Sequence, residues 1–114
     1  MEFATTNPAT NTLVKSFAFD TEAEVLAKIE RTHAGFVAWR KLSIKERGEK
    51  LQKVAELMEE RKAELAKLLT LEMGKPEPEA LQEVQAAWEG IKLWIGQAED
   101  ALKPRDHTIG YKKA

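Results

Sequence analysis

Cysteine is absent from all 114 residues, which removes disulfides, thiolate catalysis and cysteine-based zinc sites from this chain together. That absence fits a reducing compartment. Histidine is scarce as well. His33 and His107 are the whole supply, far apart in sequence, and no His-Glu-x-x-His or comparable ligand spacing occurs. Neither sign of charge is in excess, with 18 basic and 19 acidic residues interleaved along the chain. No basic face forms, so nucleic acid has no electrostatic footprint here. No apolar run approaches the roughly 20 residues that a membrane helix needs. The start, Met1-Glu2-Phe3-Ala4-Thr5-Thr6, lacks the basic opening and apolar run of a secretory signal. The expectation is a cytoplasmic protein with neither nucleic acid nor membrane as partner.

What remains is a chain of helix patterns behind a short β segment, within one domain at most. Residues 1–19 read as a β-hairpin. Asn7-Pro8-Ala9-Thr10-Asn11 supplies the turn chemistry, and Leu13-Val14-Lys15-Ser16-Phe17 is rich in strand formers. Two strands are marginal in water, so the hairpin needs a surface to lie against. Residues 20–103 are helical. Thr21-Glu22-Ala23-Glu24 is a capping box that opens a helix carrying Val25, Ile29, Phe36 and Val37, ending near Trp39. A second box, Ser43-Ile44-Lys45-Glu46, opens a stripe of Leu51, Val54, Ala55 and Met58, continued by Leu65, Leu68 and Leu69. The charged run Glu59-Glu60-Arg61-Lys62 marks a bend within it. Gly74 and Pro76 then stop the pattern, because glycine takes the left-handed cap and proline cannot extend a helix. Pro76 and Pro78 suit the first turn of a last helix, in which Leu81, Val84, Trp88, Ile91 and Trp94 follow helical spacing to about Leu102. Gly90 and Gly96 weaken this helix by about 1 kcal/mol each and offer close approach to another backbone. Residues 104–114 read as loop and tail. The predicted fold is mainly α, a β-hairpin followed by three to four helices, in a single partial domain over 1–114.

The catalytic inventory is thin. Gly74-Lys75 lacks both the upstream glycine and the following Ser or Thr of a phosphate loop, so helix capping explains it. Glu56, Glu59 and Glu60 sit amid matching Lys and Arg, and ordinary pairing at helical spacing accounts for them. His33 reads as a helix-surface residue. The tryptophans Trp39, Trp88 and Trp94 are assigned to core packing, with an interface as the competing role. No catalytic, cofactor-binding or metal-binding residue is assigned.

Asn7-Pro8-Ala9-Thr10, Phe36-Val37-Ala38-Trp39-Arg40, Glu46-Arg47 and Leu71-Glu72-Met73-Gly74-Lys75-Pro76 occur in that order, with matching helix lengths between them. Together they resemble the N-terminal part of aldehyde dehydrogenases, in the manner of succinate-semialdehyde dehydrogenases. The resemblance continues through Gln97-Ala98-Glu99 and covers nearly the whole chain. It implies the N-terminal segment of the α/β dehydrogenase fold, and for the full-length family an NAD- or NADP-dependent oxidation of an aldehyde to an acid. The family's cysteine, glutamate base and cofactor-binding residues belong to later segments, so the chain alone is expected to be inactive and to bind no cofactor. The last helix is expected to border the substrate tunnel near Glu83 and Ala86. Departures from the family pattern fall at Asn11-Thr12, Glu77-Pro78 and Leu93-Trp94-Ile95-Gly96. The implied partners are the remaining dehydrogenase domains, or further copies through exposed apolar helix faces. The alternative is a free-standing helical protein-interaction module derived from that segment.

Overall fold

In a computed structural model, which describes residues 2–106, 108–110 and 112–113, an antiparallel strand pair leads into four helices. Strands β1 (Glu2–Asn7) and β2 (Thr12–Ala18) pair from Glu2 opposite Ala18 to Asn7 opposite Thr12. The register shifts after Thr5, leaving Val14 as the extra residue of a bulge. The Asn-Pro-Ala-Thr turn closes as its composition predicts. Asn7 Oδ1 accepts from the Ala9 amide at 2.9 Å, and the Asn7 carbonyl accepts from the Asn11 amide at 2.7 Å. Asn11 is left-handed, with φ at 57°. Phe3 stacks on Phe17 with ring centroids 5.1 Å apart, a cross-strand pair on one face of the hairpin.

Both capping boxes form. Helix α1 (Glu22–Trp39) starts at Thr21, whose hydroxyl accepts from the Glu24 amide while the Glu24 carboxylate accepts from the Thr21 amide at 2.7 Å. Helix α2 (Ile44–Glu60) repeats the pattern with Ser43 and Glu46. These bonds hold the Glu24 carboxyl below the usual carboxylate range, the Thr21 amide contributing most, and hold Glu46 down through the Ser43 hydroxyl and amide. The predicted bend falls at Arg61, between α2 and α3 (Lys62–Met73). Gly74 closes α3 at φ 70° and ψ 16°, the left-handed cap read from the sequence. Helix α4 (Glu77–Ala101) follows Pro76 and carries Pro78 in its first turn. After Pro104, where loop is expected, the two-residue strands β3 (Thr108–Ile109) and β4 (Lys112–Lys113) pair around Gly110. His107, Tyr111 and Ala114 lie outside the described residues. No described helix is long and apolar enough to cross a membrane.

The core is small and sits where α4 crosses α2 and α3. Ala55, Ala66, Ala80, Val84 and Trp88 are buried, with Met58, Leu65, Leu69, Leu81 and Ile91 partly covered around them. Lys62 ties α3 to α4, its ammonium 5.4 Å from the Trp88 ring centre and 2.9 Å from Gln85 Oε1. Lys92 reaches Glu59 at 2.7 Å and ties α4 to α2. The hairpin lies against α3, and its turn touches the end of that helix. A Cβ placed on Gly74 would stand 3.0 Å from Pro8 Cγ. The close approach predicted at Gly90 and Gly96 is not there, since nothing lies within 4 Å of a Cβ at either. It occurs instead at Gly48, where a Cβ would meet Ile95 Cγ2 at 3.2 Å. Helix crossings choose that glycine, and the sequence of α4 alone does not contain the crossing point.

Candidate functional site: apolar helix faces and an unpaired arginine

Most of the apolar pattern of this chain has nothing on it. Helix α1 buries none of its 18 residues, and Val25, Leu26, Ile29, Phe36 and Val37 all face outward. The chain measures 63 × 41 × 31 Å with a radius of gyration of 20.3 Å, against the ~13 Å that a compact domain of this length adopts. Its accessible surface is 9589 Å², against about 6,300 Å² for a compact monomer of the same mass. The surplus, on the order of 3,300 Å², is several times the ~800 Å² that one partner gives to an ordinary protein interface.

The tryptophans divide accordingly. Trp88 is 6% exposed and belongs to the core, whereas Trp94 is 65% exposed and Trp39 is 37% exposed. Core packing, expected of all three, holds for Trp88. The signal was in the spacing: six residues turn a helix by about 240°, so Trp88 and Trp94 cannot face the same neighbour. Trp94 and Trp39 instead line a trough between α2 and α4, about 330 Å³ in volume, with Ile44, Leu51, Ile91 and Ile95.

Arg47 is the one charged residue lining that trough. Its Nε is without exposed surface and without a hydrogen-bond partner, and its guanidinium makes no ion pair among the described residues. Sequence reading passed over it as part of a resemblance. The signal was its place at helical spacing between Ile44 and Leu51, a basic residue inside an otherwise apolar stripe.

Of the two predicted tunnel residues, the structure brings one to a cavity. Glu83 borders an open groove of about 320 Å³ with Met58, Leu65, Met73 and Val84, and its carboxylate pairs with Lys75. Ala86 is exposed and lies outside that lining. No acid, base and nucleophile converge in the groove. Among the described residues, no cluster of three or more His, Asp or Glu side chains is arranged to hold a metal ion. His33 stands on the bare face of α1, its ring centre 6.3 Å from that of Phe36. The trough and the groove are largely apolar in their linings.

The model of the aldehyde dehydrogenase family matches residues 1–113. A succinate-semialdehyde dehydrogenase (NADP+) of Deinococcus radiodurans is 42% identical over 103 residues, which make up 90% of this chain and 22% of that protein. A probable succinate-semialdehyde dehydrogenase (NADP+) of Synechocystis is 38% identical over 102 residues, again 90% of this chain and 22% of the relative. The chain thus spans about a fifth of the length of the curated relatives it matches. In three dimensions it is similar to the succinic semialdehyde dehydrogenase of Streptococcus pyogenes, solved with NADP+ as the cofactor. The TM-score is 0.86 at 25% identity, covering 97% of this chain and 25% of that one.

Proposed function

The chain belongs to the aldehyde dehydrogenase family, and from that premise we propose that it serves as the docking part of such an enzyme, inactive by itself. Its bare helix faces pack on the remaining dehydrogenase domains, which supply the nucleophile, the base and the cofactor site. The observation that carries this reading is the surplus of about 3,300 Å² of surface, together with the exposed apolar residues of α1 and the half-open Trp39 and Trp94. A self-sufficient interaction module of this length would have covered its own tryptophans, as hydrophobic burial is the main term that stabilises a small domain.

The reaction proposed for the assembled enzyme is oxidation of a semialdehyde, succinate semialdehyde being the substrate named for the relatives. The cofactor would be NADP by the same likeness, supplying a hydride acceptor when bound. It is held by the complementary part, where the family resemblance puts the cofactor-binding residues. Within that assembly the stretch around Glu83 and Ala86 on α4 borders the substrate entrance, and the Lys75 pair offsets the Glu83 charge there. The compartment is the cytoplasm, a reading supported by the absence of cysteine.

The test is reconstitution. The chain is mixed with the Deinococcus relative lacking its aligned N-terminal part, and association is followed by sedimentation alongside NADPH formation from succinate semialdehyde. Stable association, with activity that neither piece shows alone, is the expected result. A chain that stays monomeric, resists urea cooperatively and ignores the complement is an independent helical module, and the docking reading is then wrong. In the reconstituted enzyme Ala86→Trp is expected to lower kcat/KM at least about tenfold by narrowing the entrance.

A further inference from the structure

We infer that Arg47 is a docking anchor, and that the segment covering the α2–α4 trough presents a carboxylate to its guanidinium between apolar side chains. The inference rests on the docking reading above and specifies the chemistry of what docks. Covering the trough removes Arg47 from water, and an isolated cation in an apolar setting is strongly disfavoured. Its Nε already has neither solvent nor partner. None of the chain's own acids pairs with it among the described residues. Glu46 and Glu49 line a separate groove with Lys50 and Lys53, and Glu99 lines another with Lys45 and Gln52. Five other Lys or Arg residues, spread over the chain, do pair with its acids. Arg47 is thus left for an acid from outside, and its planar fork suits bidentate pairing with a carboxylate. The walls around it, Trp39, Ile44, Leu51 and Trp94, call for apolar neighbours on either side of that acid.

The occupant is a segment of the remaining dehydrogenase fold rather than a second copy. The surplus surface exceeds what an ordinary pairing of two small chains buries, and the relatives carry several times more chain than is present here.

The experiment measures association of the chain with the trimmed Deinococcus relative by titration calorimetry, for wild type, Arg47→Met and Arg47→Lys. Methionine keeps the apolar stem and drops the charge. Association is expected to weaken at least about tenfold in R47M and less in R47K. In the same variants, urea titration of the isolated chain is expected to show an unchanged or raised midpoint for R47M. A structural role within the chain would instead lower it. Equal affinity of wild type and R47M for the complement overturns the inference while leaving the docking reading standing. Loss of self-association in R47M, with complement binding intact, also overturns it, because the occupant is then a second copy. Absence of binding by wild type itself refutes the docking reading and takes the inference with it.

Discussion

Gly74 is held by two independent constraints, which makes Gly74→Ala a sharp test of how the hairpin and helices are joined. The left-handed backbone at φ 70° costs a residue with a Cβ about 1–2 kcal/mol. The added methyl would also stand 3.0 Å from Pro8 Cγ, inside ordinary carbon–carbon contact, and relieving it requires moving the Asn-Pro-Ala-Thr turn. Overpacking of that kind costs about 1 kcal/mol where the neighbour is a surface turn. The expected loss is therefore roughly 2–3 kcal/mol. At a urea slope of ~2 kcal/mol per molar, the midpoint falls by about 1 M. Helical circular dichroism during urea titration is the assay. Gly74→Asn separates the two parts, since asparagine tolerates the left-handed region but keeps the Cβ, and about half the loss should remain. Pro8→Ala removes the ring, so the double variant P8A/G74A should recover about 1 kcal/mol relative to additivity. A G74A midpoint within experimental error of wild type would refute the backbone argument. Strict additivity with P8A would refute the contact.

Further outcomes follow from burial and capping. Trp88→Ala is expected to cost about 3–5 kcal/mol and to melt the α2–α3–α4 cluster, whereas Trp94→Ala leaves the urea midpoint of the isolated chain within about 1 kcal/mol. Equal losses would mean that the trough closes in solution. Gly90→Ala and Gly96→Ala, with nothing to strike, should each stabilise the isolated chain by up to about 1 kcal/mol, read as a rise in melting temperature. Helix ends should respond to acid with a defined sign. Glu24 and Glu46 titrate lower when folded than their ordinary value of 4.5, so their contribution is complete above that value. It is lost as pH falls through the lowered folded values. Helicity followed from pH 7 to pH 2 should therefore drop at the acid end, and Glu24→Gln with Glu46→Gln should flatten that drop. An unchanged profile would place the acid loss elsewhere.

Much of the local architecture was legible because local chemistry determines it. Thr21 and Ser43 open helices, Arg61 breaks one and Gly74 closes one, each through bonds or backbone angles spanning a few residues. What could not be read was which apolar faces meet. Periodicity shows that Val25, Ile29 and Phe36 share a side of α1, but not that this side is bare. The contact between Pro8 and Gly74 joins two of the very motifs that carried the family resemblance, yet no spacing rule connects residues so far apart in sequence. The same limit hid Arg47, since the burial of its Nε depends on how α2 and α4 cross. Glu83 was found at a groove and Ala86 beside it, because a helix position was known while the groove's lining was not.

The two capping boxes have a consequence for timing. They stabilise the starts of α1 and α2 through residues three positions apart, a contribution that needs no partner and is available once those residues leave the ribosome. A relative whose matching 102 residues are 22% of its length still has on the order of 350 residues to synthesise after this segment. At roughly 5–20 residues per second that takes about 20–70 s. Throughout that interval the apolar side of α1 that carries Ile29 and Phe36 has no counterpart to cover it. The yield of such an enzyme will therefore depend on how quickly the rest of the chain arrives.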